Sequence, residues 1–132
     1  MNKNNLNISK VETYLNSIFD GVVSENTFFG SIPLKATIPS GWNDMCFIEI
    51  PNGIRDKEAF GQGTVLVWLY ARPMASGKKN VAALSKMEQI VNNIIASNTN
   101  DTYHVSRRMT YTSYDASIDW HCNVVELILK IF

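Results

Sequence analysis

A run of apolar residues near the middle of the chain constrains the fold more than any other stretch. In the segment Gly63–Arg72, valine, leucine, tryptophan and tyrosine follow one another with almost no polar interruption. Successive side chains of a strand point to opposite faces of a sheet, so both faces of this segment are apolar. The segment therefore predicts a strand that is buried on both faces, bounded by Gly61 and Gly63 before it and by Pro73 after it.

Periodic apolar residues elsewhere predict helices at Ile8–Val23 and Asn80–Ser97. The first helix is expected to end either at Gly21 or at Val23. Alternating or continuous apolar residues predict strands at Asp44–Ile50, Thr102–Tyr111 and Ile118–Phe132. The last of these reaches the end of the given chain and is expected to be a long central strand. It is expected to form a hairpin with the strand before it, through a turn near 113–116.

Polar residues predict how the helices begin. Ser9 followed by Glu12 is a capping-box pattern for the first helix. Either Asn80 or Ser76 is expected to cap the second helix. The segment Asn26–Pro39 is expected to be a loop that becomes a broken or edge strand, because a proline cannot donate a hydrogen bond to a central ladder.

The order of elements predicts the α+β fold class, with a mainly antiparallel sheet and two helices packed on one face. No repeat or linker divides the sequence, and 132 residues fit a single domain spanning 1–132. The outer face of the sheet is expected to carry polar side chains, namely those of Arg107, Thr110, Thr112 and Asn123.

Composition places limits on function. The chain is 45% apolar and 18% charged, and its formal net charge is zero. A neutral chain gives no general support for binding phosphates, so no sequence-specific nucleic-acid partner is expected. No signal peptide and no apolar run of roughly 20 residues is present, so no membrane partner is expected and the simplest location is a cytoplasm. Cys46 and Cys122 are expected to be buried, reduced thiols.

The residues that carry reactive chemistry are few: His104, His121, Cys122 and Asp119. His121 and Cys122 are adjacent, so in a strand they face opposite sides and cannot readily share a metal. His104 and His121 would be neighbours only if the last hairpin paired suitably. No catalytic, cofactor or metal site is therefore predicted, and the chain is not expected to be an enzyme.

The segment Ile54–Gly61 is expected to be a long, mixed-charge loop between two strands. Ile54 and Phe60 place apolar side chains where a monomer would prefer none, which favours self-association. Arg107 and Arg108 have two interpretations: they bind an anion or an acidic surface of a partner, or they simply belong to a charged outer face of the sheet. The residues predicted to form an oligomer or partner interface are Ile54, Arg55, Asp56, Lys57, Phe60, Arg107 and Arg108.

The whole pattern resembles the tail-terminator, or tail-completion, proteins of long-tailed bacteriophages and prophages. The resemblance rests on the first helix, the proline-containing stretch, the segment Thr64–Arg72, the connector Ala75–Gly77, the helix at 83–95 and the closing hairpin. It spans nearly the whole chain but includes no invariant motif.

The resemblance implies a small structural subunit that forms a homo-oligomeric ring, usually of six copies, on the end of the tail tube. Such a ring stops the growth of the tube and joins the tail to head-connector proteins, so the implied location is the virion, assembled in the bacterial host cytoplasm. By this analogy, the loop at 54–60 would contact the neighbouring subunit or the tube, and Arg107 and Arg108 would add charge complementarity.

An alternative class is a stand-alone α+β domain, dimeric or not, that binds a small ligand or a protein in the groove between its helices and sheet. This class predicts an internal apolar pocket of several hundred cubic ångströms with convergent polar groups.

Overall fold

The computed structural model describes residues 1–132 and consists of a six-stranded sheet with two α-helices. The helices are α1 (Ile8–Phe19) and α2 (Val81–Ser97). The strands are β1 (Thr27–Phe29), β2 (Asp44–Glu49), β3 (Ile54–Asp56), β4 (Gly61–Ala71), β5 (Tyr103–Asp115) and β6 (Trp120–Ile131).

The sheet has the order β1-β2-β4-β6-β5, and β3 pairs with the first residues of β4 on the side where β2 pairs with its remainder. All pairs are antiparallel except β1 with β2. The predicted α+β class and mainly antiparallel sheet are therefore confirmed. The prediction that the last strand is central is also confirmed, because β6 lies between β4 and β5.

Both helices pack on the same face of the sheet, which we call the inner face. Apolar side chains of α1 and α2 form one continuous core with alternate residues of β2, β4 and β6. Val65, Val67 and Leu69 of β4 are fully buried in this core. On the opposite, outer face, Leu66 and Trp68 are only half-buried. The predicted burial of the central strand on both faces is therefore correct for the inner face and incomplete for the outer one.

A second, smaller core covers one end of the outer face. The irregular segment 30–43, which we call the covering segment, folds back over the sheet and packs Ile32, Ile38 and Trp42 against it. Met45, Phe47 and Trp120 of the sheet are buried beneath it. The rest of the outer face has no covering layer.

The helix ends differ in part from the sequence prediction. Asn7, not Ser9, caps α1, because the Ser9 amide donates to Asn7 Oδ1 at 3.0 Å. The helix ends at Phe19, before both of the predicted ends, Gly21 and Val23. Asn80 caps α2, and the Ala83 amide donates to its Oδ1 at 3.1 Å. Neither helix has the length and hydropathy required to cross a membrane.

The predicted loop at Ile54–Gly61 is instead a tight hairpin. Residues 54–56 form β3, which pairs with residues 61–63 of β4. The turn is closed by the Lys57 amide, which donates to the Phe60 carbonyl at 2.9 Å, and Glu58 takes the left-handed conformation with φ of 68°. The prediction missed this strand because three residues are too few to show a period.

Candidate interaction surfaces

Strand β5 forms a long free edge of the sheet. It pairs with β6 on one side and has no neighbour on the other. Its exposed apolar side chains include Met109, Tyr111 and Tyr114, of which 49%, 39% and 50% of the surface is accessible. Alternate backbone amides and carbonyls of an edge strand point away from the sheet and can pair with another chain.

A β-bulge between Arg107 and Met109 interrupts this edge. It separates the two arginines that the sequence analysis grouped together. Arg107 lies on the inner side, where its guanidinium donates to Asn92 Oδ1 at 2.9 Å and to Glu88 Oε1 at 3.2 Å on α2. Arg108 lies on the outer side, 3.9 Å from Glu126 Oε1. Only Arg108 is therefore available on the outer face.

Three other residues that were expected on the outer face, Thr110, Thr112 and Asn123, also lie on the inner side, and Thr110 accepts a hydrogen bond from the Arg107 guanidinium. Asn123 donates to Glu88 Oε2 at 3.0 Å, and Thr112 accepts a hydrogen bond from Lys79. The expectation failed because the bulge and the helix position, which the sequence does not show, decide which side of β5 and β6 meets α2.

The predicted interface residues of the β3–β4 hairpin do not form one exposed loop. Ile54 points inward and packs against the main core, so it is not an exposed apolar residue. Asp56 accepts from Lys3 Nζ at 2.7 Å, which lowers its pKa and ties the hairpin to the start of the chain. Arg55 and Lys57 are exposed and make no ion pair.

Phe60 is half-buried and lies on the outer side, with its ring centre 5.9 Å from that of Phe132. The ammonium groups of Lys57 and Lys130 lie 6.0 Å and 5.3 Å from the Phe60 ring. The hairpin belongs to the side of the sheet opposite β5, so the structure does not bring residues 54–60 together with Arg107 and Arg108.

The uncovered part of the outer face is a surface that the sequence analysis did not identify. We call it the outer strip. Along the strands from the β3–β4 hairpin, its successive rows are Lys57, Phe60 and Phe132; then Arg55, Gln62, Lys130 and His104; then Thr64, Ile128 and Ser106; then Glu49, Leu66, Glu126 and Met109; then Trp68 and Tyr111, with Val124 buried between them.

Charge on the outer strip is separated by row. Arg55 and Lys130 lie in the same row and have no carboxylate partner. Glu49 and Glu126 lie together nearer the covering segment. Glu49 accepts from Trp68 Nε1 at 3.2 Å, and only 18% of the Glu126 side chain is exposed.

The residues considered for reactive chemistry are spread across the molecule. His104 pairs with Lys130 and His121 with Tyr114, so the two histidines lie at opposite ends of the β5–β6 hairpin and are not neighbours. Cys46 and Cys122 are free and buried, as predicted. No three His, Cys, Asp or Glu side chains come together in a group that would hold a metal ion.

The space between the helices and the sheet is filled by side chains of the main core. A mostly apolar surface cleft of about 290 Å³ lies beside α1, at the ends of β1 and β2. It is lined by Ile8, Glu12, Phe29, Gly30, Ile48, Glu49 and Ile50.

Comparison of this chain with protein-family models gives no match, and comparison with curated protein sequences gives no significant match.

Proposed function

We propose that this protein is a structural subunit that assembles with copies of itself into a closed ring, as tail-terminator proteins of long-tailed phages do. The proposal includes the partners that the resemblance implies, namely the tail tube and the head-connector proteins, and a location in the virion after assembly in the host cytoplasm. The observation that carries it is the long free edge of β5, with its exposed Met109, Tyr111 and Tyr114.

A ring requires two different surfaces on each subunit that fit together and repeat until the rotation closes. Strand β5 offers one such surface on one side of the sheet. The other side ends in the short strands β1 and β3, which leave their outer backbone groups without a partner strand. Pairing of β5 with this opposite side of the next copy would continue the sheet from subunit to subunit.

The proposal is tested first by the particle that the purified protein forms. Light scattering after size-exclusion chromatography is expected to give a discrete oligomer, and negative-stain images are expected to show rings. A monomer at every concentration would contradict the proposal.

Proline substitutions in β5 test the role of the edge. In an antiparallel ladder, the amides of adjacent residues point alternately to the partner strand and away from it. Of Thr112→Pro and Ser113→Pro, one therefore breaks the β6 ladder and lowers stability, while the other removes only an outward amide. The variant that keeps the stability of the parent chain is expected to lose the ring. If that variant still formed rings, the β5 edge would be excluded as the contact between subunits.

A second candidate function is a small-ligand-binding domain that uses the cleft beside α1. Its volume of about 290 Å³ and mostly apolar lining favour this candidate, but the cleft lies on the surface and not in the groove between helices and sheet. A saturable shift of the unfolding temperature by a small apolar compound, lost on Phe29→Asp, would support it over the ring.

A further inference from the structure

The outer strip is symmetric in extent about its middle row. That row contains Thr64, Ile128 and Ser106. In one direction along the strands, the strip runs to the turn of the β3–β4 hairpin, at Phe60 and Phe132. In the other direction it runs to the edge of the covering segment, at Trp68 and Tyr111.

Charge on the strip changes sign across the same row. Lys130 lies on β6 one row, or two residues, from Ile128 of the middle row, in the direction of the β3–β4 hairpin. Glu126 lies on the same strand one row from Ile128 in the opposite direction. Arg55 and Glu49 repeat the arrangement on the strands that flank the other side of β4. Lys130 and Arg55 therefore each have an acidic counterpart on the same side of the sheet and at an equal distance from the middle row, whereas Lys57 has none and Arg108 lies beside Glu126.

We propose that a second copy of this chain binds the outer strip face to face, about a two-fold axis that runs along the middle row. This rotation places each strand opposite the same strand of the second copy, and the two strands run in opposite directions. Lys130 then faces Glu126 of the second copy, and Arg55 faces its Glu49. The inference does not depend on ring formation.

The aromatic residues at the two ends of the strip fit the same rotation. Phe60, just before β4, faces Trp68 of the second copy, and Phe132, after β6, lies over its last row beside Tyr111. Ile128 meets its own equivalent at the centre. The contact thus has apolar groups at its centre and both ends, and between them Arg55 and Lys130 gain the carboxylate partners that they lack in the single chain.

In this arrangement the covering segment lies outside the stacked area. The covering segment covers the part of the sheet beyond the row of Trp68. After the two-fold rotation, this part of the sheet lies beyond the β3–β4 hairpin of the second copy and has no strand of that copy opposite it. The sheets can therefore approach to the usual spacing of about 10 Å for stacked sheets.

The area of the contact can be estimated from the size of the outer strip. Four strand positions about 4.8 Å apart and about nine residues along each strand give a strip of about 20 Å by about 30 Å. Each copy would bury roughly 600 Å², so the total lies near the lower limit for specific protein interfaces.

Charge reversal provides the main test, with dimerisation measured by analytical ultracentrifugation. Lys130→Glu alone and Glu126→Lys alone place like charges opposite one another, and each is expected to weaken the dimer at least about tenfold. An equimolar mixture of the two variants restores both contacts and is expected to dimerise again. Lys86→Glu, an equal change of charge on the exposed side of α2, is the matched control.

The proposal is overturned if the parent chain forms no dimer, if Lys86→Glu weakens it equally, or if the mixture fails to restore it. Ring loss and dimer loss are distinguishable, because the face variants leave the β5 edge intact and the β5 proline variants leave the outer strip intact.

Cross-linking gives a second measurement that does not depend on charge. Ser106 is exposed and lies on the proposed axis, so Ser106→Cys places two thiols opposite each other. A short bifunctional thiol reagent is expected to link two copies, and the native cysteines are buried and do not compete. Ser85→Cys, on the exposed side of α2, is the control. Equal yields of linked Ser106→Cys and Ser85→Cys overturn the proposed axis.

Discussion

Gly63, near the start of β4, lies at a point where the inner face has no room for a side chain. A Cβ added there would lie 2.6 Å from Ile54 Cδ1 and 3.0 Å from the Gly53 carbonyl oxygen. The end of the isoleucine can move, but the backbone carbonyl cannot move without disturbing the turn before β3. At Gly61, by contrast, the closest atom belongs to the flexible side chain of Leu6.

We expect Gly63→Ala to lower the free energy of unfolding by about 1–3 kcal/mol, a typical cost of overpacking, and Gly61→Ala to lower it less. Urea denaturation measures both. Combining Gly63→Ala with Ile54→Ala separates the two clashes, since only the clash with the isoleucine is relieved. A Gly63→Ala variant as stable as the parent chain would contradict the packing described for this site.

The two buried thiols predict a loss of stability at high pH. Burial, with a smaller effect of Asp44, raises the pKa of Cys46 to about 12, and burial raises the pKa of Cys122 to about 11. An unfolded thiol has a pKa of about 8.5, so above that pH the unfolded chain releases protons that the folded chain retains. Stability is therefore fully present below pH ~8.5 and falls as pH rises towards the folded pKa values.

We expect the free energy of unfolding to decrease progressively above pH ~8.5 and both thiols to resist a thiol reagent near pH 8 until the chain unfolds. In Cys46→Ala the alkaline decrease is expected to be shallower, because that thiol no longer titrates. An unchanged slope, or fast thiol labelling of the folded protein, would contradict this account.

At the scale of elements, the caps of α1 and α2 give a paired prediction. Asn7→Ala and Asn80→Ala are each expected to lower the free energy of unfolding by about 1 kcal/mol, since each side chain satisfies an amide at a helix start. Ser9→Ala and Ser76→Ala, the alternatives favoured or allowed by the sequence, are the controls and are expected to have smaller effects. Denaturation in which the serine variants lose as much would contradict the cap assignment.

The elements that the sequence predicted well are those long enough to show a period. Both helices, β2, β4 and the β5–β6 hairpin contain enough residues for burial to select apolar side chains at regular positions. Strand β3 is too short and too polar for this. The choice between Asn7 and Ser9 was also beyond the sequence, because both residue types cap helices equally well.

The candidate surfaces were harder to predict than the fold. The position of Arg107 depends on a bulge and on Glu88 of α2, and neither the bulge nor the contact leaves a periodic signal. The outer strip was hidden because Leu66 and Trp68 make the outer side of β4 look as apolar as its inner side. Its sequence signal is the presence of polar residues at alternate positions of β4 and β6, namely Gln62, Thr64, Glu126 and Lys130.

At the scale of the whole molecule, the two proposed contacts differ in their physical basis. Pairing through β5 uses backbone hydrogen bonds, whereas stacking through the outer strip uses ion pairs such as that of Lys130 with Glu126. Exposed ion pairs are screened by salt, with a Debye length of about 10 Å at 0.1 M and about 3 Å at 1 M.

We expect raised sodium chloride to weaken face-to-face dimers and to leave rings largely unchanged. Light scattering over a range of salt concentrations measures this, and Lys130→Glu serves as the control, because its residual dimerisation should not weaken further. Rings that dissociate in salt while dimers persist would reverse the assignment of the two surfaces.

Arg108 is the bulge residue of β5 and has no register partner on β6, so its deletion removes none of the register pairs of the β5–β6 hairpin. Deletion of Arg108 would remove the bulge from the β5 edge and also remove a positive charge from it. Both changes favour the addition of further strands to this edge. We expect the shortened chain to grow into fibres, visible by electron microscopy, whereas the parent chain is proposed to stop at a closed ring.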